Sequence, residues 1–199
     1  MLSLLNVQDK DNAKLSNLNI QNLPLYPIAI VGELGSGKTN LLNQIKNIYT
    51  NEGIIVYSFK LSDQSIQSDT KMINVIKDEM MNRYKQLEDK NINTYTKLNL
   101  SRIAVFIDDI DKLKTSKDIE TKDDAHNAIG SLVRLGKNAG IQLIYACEDL
   151  DNVVKDITLN TNFIICLRNV AKTLINEDFE LGKAIITMSD SSDSLIFKF

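Results

Sequence analysis

Eight residues, Gly32-Glu33-Leu34-Gly35-Ser36-Gly37-Lys38-Thr39, fit G-x-x-x-x-G-K-T at every fixed position. They follow Ile28-Ala29-Ile30-Val31, an apolar run of strand length. They precede Leu41, Leu42, Ile45 and Ile48, which recur at helical spacing. A strand, a glycine-rich loop and a helix in that order constrain the fold more than any other feature of the chain. Glycine lets the backbone curl until successive N–H groups converge on one anion. The helix that follows turns its positive end to the same point. The stretch therefore reads as a phosphate cradle, with Gly32, Glu33, Leu34, Gly35, Ser36, Gly37, Lys38, Thr39 and Asn40 as candidate nucleotide-binding residues. Lys38 suits the β- and γ-phosphates and the Thr39 hydroxyl suits Mg²⁺, so ATP and Mg²⁺ are the expected cofactors. A glycine-rich structural turn is the alternative, and the strand-to-helix context weighs against it.

A second apolar strand, Ile103-Ala104-Val105-Phe106-Ile107, ends in Asp108-Asp109, followed by Ile110 and Asp111. A buried strand that delivers a carboxylate beside a phosphate loop can hold Mg²⁺, and the next carboxylate can activate water. Asp108 is the expected metal-side residue, with Thr39, and Asp109 the expected water-activating one. In the alternative reading, Asp109 and Asp111 are solvated turn residues.

The remaining apolar runs complete an alternating pattern. Ile54 to Phe59 reads as a buried parallel strand, with Lys60 at its carboxyl end. Met72, Ile73, Val75, Ile76, Met80, Tyr84 and Leu87 mark a helix from Asp69 to about residue 89. Residues 123–138 read as another helix, broken by Gly140, and 149–157 as a short one. Ile141 to Cys147 and Phe163 to Leu167 are further core strands. Lys183 to Thr187 and Leu195 to Phe199 read as a β-hairpin. Alternating strands and helices predict an α/β fold, a mostly parallel sheet with helices on both faces. The predicted organisation is an N-terminal edge segment over residues 1–26, with an edge strand around Leu15, Leu18 and Ile20, and one domain over 27–199.

Composition narrows the function. A chain of 199 residues with 43% hydrophobic content can bury one α/β core. A net charge of −3 excludes a generally basic surface that coats nucleic acid, though not a local basic loop. Cys147 and Cys166 lie inside apolar runs and read as reduced core residues. The single His126 cannot complete a zinc site with them. No apolar run reaches the length of a membrane span, and no signal-peptide pattern opens the chain, so the expected location is the cytoplasm. Recruitment to a membrane or a capsid would then come through a partner.

Five segments, in order, resemble the FtsK/SpoIIIE-type motor domains of the FtsK–HerA branch of P-loop ATPases. Pro27 to Thr39 resembles the family's Pro-strand-GSGK segment, and Phe59-Lys60 its Pro-Lys after the second strand. Glu79-Met80-Met81-Asn82-Arg83-Tyr84 and Asn91-Ile92-Asn93-Thr94-Tyr95 resemble its E-M-x-x-R-Y helix and N-I-x-x-Y-N turn. Ile103 to Asp109 matches its Walker B strand, and Leu135 to Ile144 its L-G-R-A-A-G-I-H-L-I segment. Three positions depart from the family: Asp109 replaces a Glu, Glu148 a Gln and Lys137 an Arg.

The resemblance implies a RecA-like ATPase that assembles into a ring, usually a hexamer, around double-stranded DNA. Lys38, Thr39, Asp108 and Asp109 would serve nucleotide, metal and water, and Glu148 would stand at the sensor position. Arg134 or Arg168 would supply a cation to a neighbour's nucleotide. The implied function is DNA translocation or packaging in a mobile element or phage. The alternatives are an ATPase module of a type VII-like protein secretion system and a non-hydrolysing, ATP-dependent assembly subunit.

Overall fold

The computed structural model describes residues 25–175, 180–188 and 194–199. The edge strand predicted around Leu15 to Ile20 lies outside them. The strands are β1 (Ile28–Val31), β2 (Ile55–Lys60), β3 (Ile103–Asp108), β4 (Ile141–Cys147), β5 (Phe163–Leu167), β6 (Lys183–Met188) and β7 (Ser194–Lys198). The helices are α1 (Lys38–Asn51), α2 (Ile66–Asp89), α3 (Lys112–Thr115), α4 (Ile119–Ala139), α5 (Lys155–Leu159) and α6 (Arg168–Ile175). The strands form one sheet in the order β2-β3-β4-β1-β5-β6-β7. β1 to β5 pair in parallel, and the β6–β7 hairpin adds to β5 antiparallel.

Alternation along β1 divides the core. Ile28 and Ile30 pack with Leu41, Leu42, Ile45 and Tyr49 of α1, on the face that also holds Leu195 and Phe197 of β7. Ala29 and Val31 face the other way, into a cluster with Ile73, Ile76 and Met80 of α2 and Ile129, Leu132 and Val133 of α4. Placing β1 at the centre of the sheet sets its C-terminal loop among the carboxyl ends of β3, β4 and β5. Ligands gather in that crevice in open α/β sheets.

β2 corrects the sequence reading. It is parallel, as expected, pairing with β3, but among the described residues it lies at the edge of the sheet. Ile55, Ser58 and Lys60 are exposed, and only Phe59 is buried. A β-branched run has the same composition in an edge strand as in a central one, so periodicity could not place it. The polar stretch after Asp111 contains the single turn of α3 and the first residues of α4. Asp118 caps α4, its Oδ1 accepting the Thr121 N–H at 3.1 Å.

The segments that carry the family likeness are stitched to one another. The buried Arg83 of α2 donates through Nη1 to the carbonyls of Ser101 and Ala139, each at 2.9 Å, and through Nε to Glu79 at 2.8 Å. Tyr84 donates to the Leu135 carbonyl at 2.7 Å. A Cβ on Gly140 would lie 2.6 Å from the Tyr95 ring, and one on Gly136 would lie 2.4 Å from the Ile141 carbonyl oxygen. Gly140 also has φ +79°, a conformation glycine adopts without strain. The E-M-x-x-R-Y helix, the N-I-x-x-Y turn and the L-G…A-G-I segment thus form one joint, which sets α4 against α2 and starts β3 and β4 in register.

The two cysteines behave as core residues. Cys147 and Cys166 are free, buried and both in register with Val31, one on each side of β1. Two strand spacings, about 10 Å, are too far for a disulfide. Burial pushes the Cys166 thiol up to about 11 and the Cys147 thiol higher still.

Candidate nucleotide-binding site

The loop after β1 is closed by its own lysine. Lys38 is 7% exposed, and its ammonium donates to the carbonyls of Gly32 at 2.6 Å and Glu33 at 3.1 Å. Gly35 and Gly37 have φ +77° and +100°, the left-handed turns the curl requires. A Cβ on Gly32 would lie 2.5 Å from the Ser36 Oγ and 2.9 Å from the Leu167 Cβ, so only glycine leaves that space open. The Ser36 Oγ itself is buried without a hydrogen-bond partner. An orphaned hydroxyl in a glycine-rich loop that opens a helix fits an anion.

The second half of the site comes from β3. The Thr39 hydroxyl donates to Asp108 Oδ2 at 2.8 Å, across the intervening strand β4. Asp108 is 3% exposed, and its other oxygen accepts the Asp109 N–H at 3.1 Å. A hydroxyl and a buried carboxylate side by side are hard oxygen donors, the set that suits Mg²⁺ completed by phosphate and water. Among the described residues no cluster of three or more His, Cys, Asp or Glu offers a competing all-protein metal site.

Asp109 sits at φ +56°, which aspartate tolerates better than most residues. Partial burial and the neighbouring Asp108 raise its carboxyl above the usual carboxylate range, while Lys60 pulls the other way. Lys60 is in register with Asp108 at the end of β2, which sets its charge near enough to act on Asp109. Asp111 also belongs here. Its Oδ2 accepts the Glu148 N–H at 3.2 Å, tying the end of β4 to the loop after β3. No pattern singles out Asp111, which stands in an acidic run of ordinary loop composition.

A cleft of about 570 Å³ opens beside the loop, lined by Glu33, Leu34, Glu148, Asp149, Asn152 and Asn169 among others. Asn169 donates to Glu33 Oε2 at 2.6 Å and holds the loop to the start of α6. Leu34 is 87% exposed at its rim.

The two candidate arginines part company. Arg168 directly follows β5, the strand beside β1, at the same sheet edge as the loop. Arg134 lies in the C-terminal half of α4, towards the opposite edge, and is ion-paired with Asp156. Lys137, the residue that replaces the family's arginine, lies 3.9 Å from the centroid of the Tyr26 ring.

Comparison with known families decides the assignment. The family described as "ATPase family associated with various cellular activities (AAA)" matches residues 28–168, from β1 to the end of β5. The chain belongs to the AAA ATPase family. No curated protein matches it by sequence. Among solved structures, this AAA ATPase is similar to the conjugation coupling protein TcpA of pCW3, in a monomer form with ATPγS. The TM-score is 0.73 at 21% identity, over 89% of this chain and 61% of that one. It is similar to EssC (ATPases 2 and 3) from Geobacillus thermodenitrificans, with TM-score 0.64 and 19% identity over 87% of this chain and 39% of that one. It is also similar to the genome packaging NTPase B204 of Sulfolobus turreted icosahedral virus 2. That match has TM-score 0.55 and 15% identity over 88% of this chain and 97% of that one. The chain spans less than two thirds of the TcpA and EssC chains, so the likeness concerns the ATPase fold. At that level it agrees with the fold that the resemblance implies. Among the described residues no helix is long and apolar enough to cross a membrane.

Proposed function

We propose that this AAA ATPase is a motor that hydrolyses ATP to translocate or package double-stranded DNA. The observation that carries the ATPase half is the Thr39–Asp108 hydrogen bond of 2.8 Å, which brings the phosphate loop and the β3 carboxylates into one site. The DNA half rests on fold likeness to a conjugation coupling protein and a genome packaging NTPase. Lys38 and the loop N–H groups bind the triphosphate. Thr39 and Asp108 would hold Mg²⁺, which when bound neutralises phosphate charge. Asp109 orients the attacking water and takes its proton. Subunits assemble in a ring, a hexamer by resemblance, and grip the DNA through phosphate contacts that need no base reading.

Asp109→Asn tests the water-activating role. Asparagine keeps the shape and the left-handed backbone but cannot take a proton. Turnover is expected to fall by about 10²–10⁴, with ATP affinity within a few-fold of wild type by calorimetry. Equal loss of affinity and turnover would show that Asp109 only shapes the pocket.

Arg168 is the candidate for the cation that acts on a neighbour's nucleotide, because Arg134 is engaged by Asp156. Arg168→Ala is expected to lower turnover by about 10³ or more, the scale of an arginine finger. Arg134→Ala is expected to leave turnover within twofold and to cost under about 1 kcal/mol in urea unfolding, as exposed pairs do. The reverse pattern would move the role to Arg134.

A second reading, an ATPase module of a protein secretion system, is favoured by the fold likeness to EssC and by the Asp108-Asp109 pair. In that reading, or in a non-hydrolysing assembly subunit, DNA leaves turnover unchanged. Binding of a short helical secretion-signal peptide separates those two.

A further inference from the structure

We infer that the ring of Phe199 is the surface on which the base of the bound nucleotide stacks. The inference rests on the ATPase reading above and adds the residue that recognises the base.

Three observations place the ring. First, β5 is parallel to β1, β6 antiparallel to β5, and β7 antiparallel to β6. β7 therefore points the same way as β1, and Phe199, just past its end, emerges at the sheet edge that carries the phosphate loop. Second, alternation along β7 buries Leu195 and Phe197 on the α1 face, and Phe199 has the same parity. Third, the Cε2 and Cζ atoms of the ring lie 3.2 Å from where a Cβ on Gly37 would be. Glycine, with φ +100°, leaves the slot into which the ring edge fits.

The ring is held and half covered. The backbone N–H of Phe199 donates to the Gly182 carbonyl at 2.9 Å, which ties the open end of the hairpin together beneath the ring. Part of the ring packs on the α1-face cluster, and the rest is open to solvent.

The polarity of the site says which part of the nucleotide meets it. Asp108 and Asp109 stand on the β3 side of β1, and Phe199 on the β7 side. A phosphate chain whose reacting end lies at Asp109 runs across the loop and carries its base toward β7. Phenylalanine offers a π-face and no hydrogen bond, so it favours the larger purine surface over a pyrimidine without reading the base edge.

The test compares ATP, CTP and inorganic tripolyphosphate, each with Mg²⁺, by calorimetry on the full chain. Phe199→Ala is expected to weaken ATP binding about tenfold, the scale of losing one aromatic stacking partner. Tripolyphosphate affinity should stay within twofold, and the wild-type preference for ATP over CTP should shrink. The chain contains no tryptophan, so Phe199→Trp restores stacking and adds a single fluorophore. Its emission is expected to be quenched by ATP and not by tripolyphosphate. Equal weakening of ATP and tripolyphosphate by Phe199→Ala, or no weakening of either, overturns the inference while leaving the ATPase reading intact. A wild-type chain that binds neither ligand sinks that reading, and the inference with it.

Discussion

Lys38→Ala is expected to lower ATP turnover by about 10²–10³, the cost of removing one charged donor from a site where negative charge develops. In the structure the ammonium bridges the Gly32 and Glu33 carbonyls from a buried position. It is thus already aimed inward, with its desolvation met by the loop itself, and bound phosphate would take over the same donors. Alanine removes the charge and leaves the left-handed turns at Gly35 and Gly37 in place. The variant should therefore fold, with a melting temperature near wild type. A coupled ATPase assay and a thermal melt check both halves. Turnover within tenfold of wild type would mean that hydrolysis occurs elsewhere.

The largest expected loss of stability comes from Arg83, far from the nucleotide. Arg83→Ala removes the donor that meets the carbonyls of Ser101 and Ala139 and that joins α2 to the end of α4 and the approach to β3. Each orphaned carbonyl costs about 1–3 kcal/mol, so the expected loss is roughly 2–6 kcal/mol. That is a large share of the roughly 5–15 kcal/mol that holds a domain together. Arg83→Lys should recover part of it, because an ammonium reaches one carbonyl but lacks the planar fork. Urea unfolding reads the effect as a lower midpoint at unchanged slope. A loss below about 1 kcal/mol would contradict the view that this motif is a structural joint.

These two residues mark what could be read from the chain alone. Lys38 and Asp108 were legible because each sits in a local pattern, a loop between strand and helix or a carboxylate at a strand end. Arg83 was legible only as part of a likeness. Its role depends on carbonyls distant in sequence, which no periodicity reveals. The edge position of β2 was hidden because strand order is a property of the whole sheet. The engagement of Arg134 by Asp156 depends on how α5 packs against α4, so sequence left it level with Arg168. Phe199 read as one more apolar residue of a hairpin, and only the contact with Gly37 gives it a place in the site. Asp111 was lost among neighbouring acids for the same reason.

The motor function is tested most directly by steady-state ATP hydrolysis with and without long double-stranded DNA, at low and moderate salt, with Lys38→Ala as the blank. It predicts turnover that DNA stimulates, with the stimulation falling as salt rises, because phosphate contacts release counterions on binding. Tight ATP binding without turnover, with or without DNA, would contradict it and make the nucleotide a structural switch for assembly or secretion.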